Sequence, residues 1–196
     1  MILRFKLTEE EYNKCRKFAD ESSKSQREYR SGGTQIRTVG QIFIDTLRGK
    51  VGEVIINKFL EQEPFNIQNI ALDFGVYARG IWDETDIEIN GRKLSIKSSK
   101  HFARWLLLEA KDIHRGDIYD YYILVLVDKN FKGGEVKGFA SKEEVIEPDP
   151  DTLFLKKGEL IPNTNTILDA DNYARHSDNL HNSEEEWIEL ANSLKT

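Results

Sequence analysis

The chain has little of several things, and each scarcity excludes a class. Its 196 residues hold one cysteine, Cys15, which rules out an internal disulfide framework and any all-cysteine zinc or iron-sulfur centre. That suits a reducing compartment, and the expected location is cytoplasmic. No apolar run approaches the roughly 20 residues of a membrane-spanning helix; the longest, Tyr121 to Val127, has the length of a strand. The N-terminus, MILRFKLTEEEY, lacks the apolar core of a secretory leader. A basic excess is missing too: the net charge is -6, which argues against a general electrostatic attraction to phosphate, so any nucleic-acid contact has to come from one face of the molecule.

What is present is a globular composition, 39% hydrophobic and 10% aromatic, too apolar for a disordered chain. A chain of this length buries roughly 70% of its unfolded surface, so a single domain over residues 1–196 is expected. Thr8 with Glu11, Ser141 with Glu144 and Ser183 with Glu186 have the spacing of capping boxes, each marking a helix start. They predict helices from about residue 9 to 29, from Ser141 and from Ser183. These hydroxyls are read as caps rather than nucleophiles. Val51, Val54, Ile55, Phe59 and Leu60 predict an amphipathic helix over about 49–62, with Glu53 inside it. Residues 34–47 fit either short extended pieces or a partly buried helix. HFARWLLLEAKD reads as helix-forming, and YYILVLV as an interior strand. The histidines His114, His176 and His181 are read as surface residues.

Residues 86–97 alternate with the period of a strand on either side of Asn90-Gly91. Asn-Gly is the strongest two-residue hairpin signal, because both residues tolerate positive φ. With those two at the turn, Ile89 pairs with Arg92, Glu88 with Lys93, Ile87 with Leu94 and Asp86 with Ser95. Asp86, Ser95 and Lys97 then share one face, and Ile87, Ile89, Leu94 and Ile96 the other. A carboxylate can hold a hard cation such as Mg²⁺ against a scissile phosphate, and a neighbouring ammonium can orient the attacking water.

A helix carrying Glu53, a hairpin with Asp86 on one strand and Ser95-x-Lys97 on the next, then a helix and an apolar strand, resembles the PD-(D/E)xK nuclease superfamily. The likeness covers residues 48–128, which would be the catalytic core. Arg48-Gly49 ahead of Glu53 is similar to the RGxxxE helix start of archaeal junction resolvases in the same superfamily. The resemblance implies an α/β fold with a central mixed sheet flanked by helices, and a Mg²⁺-dependent endonuclease, Mn²⁺ substituting, that hydrolyses double-stranded DNA. A type II restriction enzyme working as a homodimer is the leading form; a junction-resolving or virus-encoded nuclease, or an inactive DNA-binding or interaction module of the same fold, are the others. By position, Asp86 is the metal-binding Asp, Lys97 the catalytic Lys and Glu53 the helix Glu.

The sequence departs from the pattern twice. Thr85 replaces the frequent proline, and Ser95 replaces the second acid. Enzymes that cut sites related to CCGG are similar in having Ser-x-Lys and draw the missing acid from the following helix, where Glu109 is the candidate here. A compensating Glu109, a site working with Glu53 and Asp86 alone, and a site without catalysis are all open. Lys93, Lys100 and Arg104 near the hairpin, and Arg30, Gln35 and Arg37 in and after the loop RSGGTQ, are the candidate DNA contacts.

Overall fold

A computed structural model describes residues 3–25, 38–76, 86–116, 119–146 and 150–195. Arg30, Gln35, Arg37 and Thr85, singled out above, lie outside the described residues.

The fold is a mixed α/β arrangement around a five-stranded sheet. Strand β1 (Arg4–Lys6) leads to α1 (Glu9–Ser25), whose capping box forms as expected: the Thr8 amide donates to Glu11 at 2.6 Å and the Glu11 amide to the Thr8 hydroxyl at 3.2 Å. Helix α2 runs unbroken from Val39 to Glu61, started by Thr38, whose hydroxyl accepts from the Gln41 amide. The ambiguous stretch before residue 49 is therefore the first half of this helix from Val39 onward. Its pattern is blurred for a physical reason. Ile42, Leu47, Val51, Val54, Ile55 and Phe59 are buried around much of the circumference, since α2 is covered by α1 and by the sheet, and a helix wrapped in protein loses its polar face.

The hairpin β2 (Ile87–Ile89) and β3 (Arg92–Lys100) has the expected register, Ile87 opposite Leu94 and Glu88 opposite Lys93. Asn90 and Gly91 both take positive φ, 49° and 80°, as the tight turn requires. The Asn90 amide side chain also donates to the Leu194 carbonyl at 2.7 Å, tying the turn to α5 (Glu184–Lys195). Strand β5 (Tyr121–Val127) lies parallel to β3, and β6 (Gly133–Ser141) antiparallel to β5, giving the order β1-β6-β5-β3-β2. The apolar run 121–127 is thus an interior strand, buried along nearly its whole length.

The segment HFARWLLLEAKD differs from its helical expectation. It forms β4 (Trp105–Glu109) and only then a short helix, α3 (Ala110–Arg115). Its composition suits either state, and a partner far along the chain decides: β8 (Asn172–His176) pairs with it antiparallel, and β7 (Thr152–Leu155) adds a third strand. Residues 150–176 thereby build a second sheet, and α4 (Lys142–Ile146) begins with the Ser141–Glu144 box in place.

Apolar side chains fill both faces of the five-stranded sheet. Leu94, Ile96, Ile123 and Val125 meet α2 on one side, where Trp187, Leu190 and Leu194 of α5 join them. Tyr122, Leu124 and Leu126 meet Leu106 and Leu108 of β4 on the other. At roughly 1.5–3 kcal/mol per buried large apolar side chain, these two layers dominate the stabilisation. No helix among the described residues is long and apolar enough to cross a membrane.

Candidate active site

The geometry of the β2–β3 fork sets the site. In a two-residue hairpin the residues flanking the turn exchange backbone bonds, and such pairs alternate along the ladder. Leu94 faces Ile87 in this way, so the N–H of Ile96 points to the same edge, where β2 has already ended. Asp86, the residue just before β2, fills that place with its side chain: Oδ2 accepts from the Ile96 amide at 2.6 Å and from the Ser95 hydroxyl at 3.3 Å. Ser95 is wholly buried, 0% exposed. Oδ1 of Asp86 has no hydrogen bond among the described residues.

Lys97 follows two residues after Ser95 and shares its face by alternation. It is half-buried, and its ammonium has neither a hydrogen bond nor an ion pair among the described residues. The structure thus joins Asp86 to Ser95 as the hairpin pattern predicts, with Lys97 on the same face of β3.

Glu53 and Glu109 stand elsewhere. Helix α2 lies over the Ile96 and Ser98 face of β3, opposite to Lys97: a Cβ on Gly52 would meet both those side chains. Glu53 is buried there, its Oε2 2.5 Å from the Lys50 ammonium, which also donates to the Asp73 carbonyl at 2.6 Å and lies over the Phe18 ring of α1. Glu109 ends β4 on the side of Trp105 and Leu107, while Leu106 and Leu108 take the side facing Tyr122 and Leu124. Burial pushes its carboxyl up against the opposing pull of Lys111, 3.4 Å away, and Asp112 and Asp169 push it further. Among the described residues no cluster of three or more His, Cys, Asp or Glu side chains is arranged to hold a metal ion.

The three described candidates for DNA contact are all exposed. Lys93 and Lys100 sit at the two ends of β3, and Arg104 immediately precedes β4. Arg92, beside Lys93, is committed to Asp120 at 3.1 Å.

Three partnerships escape a reading of the sequence. The Ile96 amide has no side-chain signature at all. Lys50 could have been suspected, standing three before Glu53 on one helix, the spacing at which opposite charges meet. His181 is not a simple surface residue: its two ring nitrogens meet Glu186 at 2.6 Å and Glu144 at 2.7 Å.

No protein-family model matches the chain, and neither a curated protein nor a solved structure matches it.

Proposed function

We propose that this protein is a Mg²⁺-dependent endonuclease acting on double-stranded DNA, with Asp86 and Lys97 at its centre. The observation that carries the reading is the fork itself. Asp86 is clamped through one carboxylate oxygen and offers the other, and the half-buried Lys97 has no partner among the described residues. The order of a helix, an antiparallel hairpin and a strand parallel to it supports the reading, although the helix expected between hairpin and strand is mostly β4, followed by the short α3.

The residues present fit a hard cation of the kind that takes one or two carboxylates and completes its shell with water and substrate phosphate. Asp86 Oδ1 would hold it. Bound there, Mg²⁺ would supply Lewis-acid polarisation of the scissile phosphate. Lys97 would orient the attacking water and offset charge gathering on the phosphate oxygens. Lys93, Lys100 and Arg104 would neutralise flanking phosphates, and only such a local group can offset a net charge of -6. Cutting both strands of a palindrome calls for two sites related by a two-fold axis, so a type II restriction enzyme would act as a homodimer.

Plasmid DNA incubated with Mg²⁺ tests the reading. Discrete fragments from the parent, lost in Asp86→Ala and Lys97→Ala but kept in Glu109→Ala, support a sequence-specific nuclease with this centre. Cutting that persists in both Asp86→Ala and Lys97→Ala overturns the assignment. A second reading, a nuclease-fold module that binds DNA without cutting it, is favoured by the absence of a metal-binding acid cluster among the described residues. It prevails if the parent cuts no duplex, branched or single-stranded DNA yet retains it in a gel-shift assay.

A further inference from the structure

We infer that Ser95 is a positioning residue for Asp86, fixing which carboxylate oxygen meets the metal, and not a weakened substitute for a second metal-binding acid. The inference rests on the nuclease reading for its purpose, and on the hydrogen bonds for its geometry. Ser95 Oγ donates to Asp86 Oδ2 at 3.3 Å, and the Ile96 amide donates to the same oxygen at 2.6 Å. Two donors on one oxygen leave the carboxylate no freedom to turn, and its other oxygen has no hydrogen bond among the described residues.

The hydroxyl's single proton is spent on Asp86, and the side chain is 0% exposed, so water and a hydrated cation do not reach it. A carboxylate in its place would be buried against Asp86 Oδ2 with like charge facing like charge, and could donate nothing unless protonated. The serine is therefore the residue type this clamp requires. With Oδ2 taken, Asp86 is limited to one-oxygen ligation, which suits a small octahedral ion that keeps several waters. A large ion favouring bidentate carboxylates gains less from it.

The test uses the full chain and Mn²⁺ alone as probe, its binding followed by electron paramagnetic resonance without DNA. Asp86→Asn sets the baseline by removing the binding. Ser95→Ala is expected to weaken it about 10–100-fold, the usual cost of removing a group that orients a ligand. Ser95→Thr, which keeps the hydroxyl, should restore most of the loss. Ser95→Cys fills nearly the same space with a weaker donor and should fall between; it replaces Ser95→Ala should that variant not fold, as judged by circular dichroism. Ser95→Asp should bind no better than the parent. In DNA cutting, the Mg²⁺ concentration at half-maximal rate should rise for Ser95→Ala.

The inference is overturned if Ser95→Asp binds Mn²⁺ more tightly than the parent, if Ser95→Ala binds it equally well, or if Asp86→Asn leaves binding unchanged. Failure of the nuclease reading looks different. There the parent cuts no DNA, while Mn²⁺ binding still depends on Asp86 and Ser95 in the expected order.

Discussion

Gly52 of α2 and Ser98 of β3 touch so closely that a Cβ built on the glycine would lie 1.9 Å from the serine hydroxyl oxygen and 3.0 Å from its Cβ. The same approach lets the Ser98 hydroxyl reach the Gly49 carbonyl at 3.4 Å, so this contact sets the depth at which α2 rests on the strand carrying Ser95 and Lys97.

Gly52→Ala is therefore expected to destabilise the protein, although alanine favours a helix over glycine by about 1 kcal/mol. Overpacking of this kind costs roughly 1–3 kcal/mol, and rotation of the serine hydroxyl relieves only part of it because its Cβ is also close. Urea unfolding of Gly52→Ala, Ser98→Gly and the double variant checks the point. The double variant should recover most of what Gly52→Ala loses, and additive losses would show that the contact is not what constrains the helix.

The Lys50–Glu53 pair makes a second prediction. Both side chains are buried, 6% and 11% exposed, so removing one charge takes the opposite charge away from the other in a place largely closed to water. Lys50→Met should cost about 3–5 kcal/mol, while Lys50→Met with Glu53→Leu together should lie much closer to the parent. Glu53→Gln bears on function as well: Mn²⁺ binding unchanged in a less stable protein fits a carboxylate engaged by Lys50, and lost binding at unchanged stability would return Glu53 to the metal site.

How much of this was legible beforehand follows from the range of each interaction. The Asn90-Gly91 turn and the three capping boxes depend on residues within a few positions of one another, and they stand in the structure where the spacing puts them. Asp86 meets Ser95 for the same reason, and Lys97 shares the face of Ser95 on β3. Strand β4 was misread as helix because its pairing with β8 crosses much of the chain, and Leu106, Leu107 and Leu108 say nothing locally about that partner. The candidate site divided along the same line. Its hairpin half was readable, whereas the positions of Glu53 and Glu109 depend on which side of a strand a helix and a second sheet come to rest.

Cys15 supplies a clock for the α1–α2 interface. Burial first, and then the Glu53 charge, push its thiol up to about 12, so at pH 8 almost no thiolate exists in the folded protein. An aromatic disulfide reagent at pH 8 is expected to label Cys15 only as fast as α1 opens, and at once in denaturant. Labelling of the native protein at the rate of an exposed thiol would contradict the packing of α1 on α2.

The pH dependence of stability should report on His181. Burial pulls its pKa down, but hydrogen bonds and ion pairs to Glu186 and Glu144 outweigh this, and the net shift is upward from 6.5. Arg175 also faces this cluster, 3.3 Å from the same Glu144 oxygen. A histidine whose folded pKa is raised contributes stability that is complete below its unfolded value and lost as pH rises through the folded one. The glutamates act with the opposite sign: the His181 bond and the Ser183 amide draw Glu186 down to about 2, and Glu144, although burial opposes it, is lowered by Ser141 and His181. Their contribution is complete above 4.5, so the clasp is strongest between about pH 4.5 and 6.5. Because the imidazole is 36% exposed, solvent screening limits its share to about 1 kcal/mol, or roughly 2–4 °C in melting temperature. Thermal melts from pH 5.5 to 9 should show the parent losing that margin relative to His181→Gln, whose difference from the parent narrows as pH rises. A gap between the two proteins that stays constant over this interval would mean that His181 takes up its proton equally in the folded and unfolded chain, so that its charge adds nothing to the clasp.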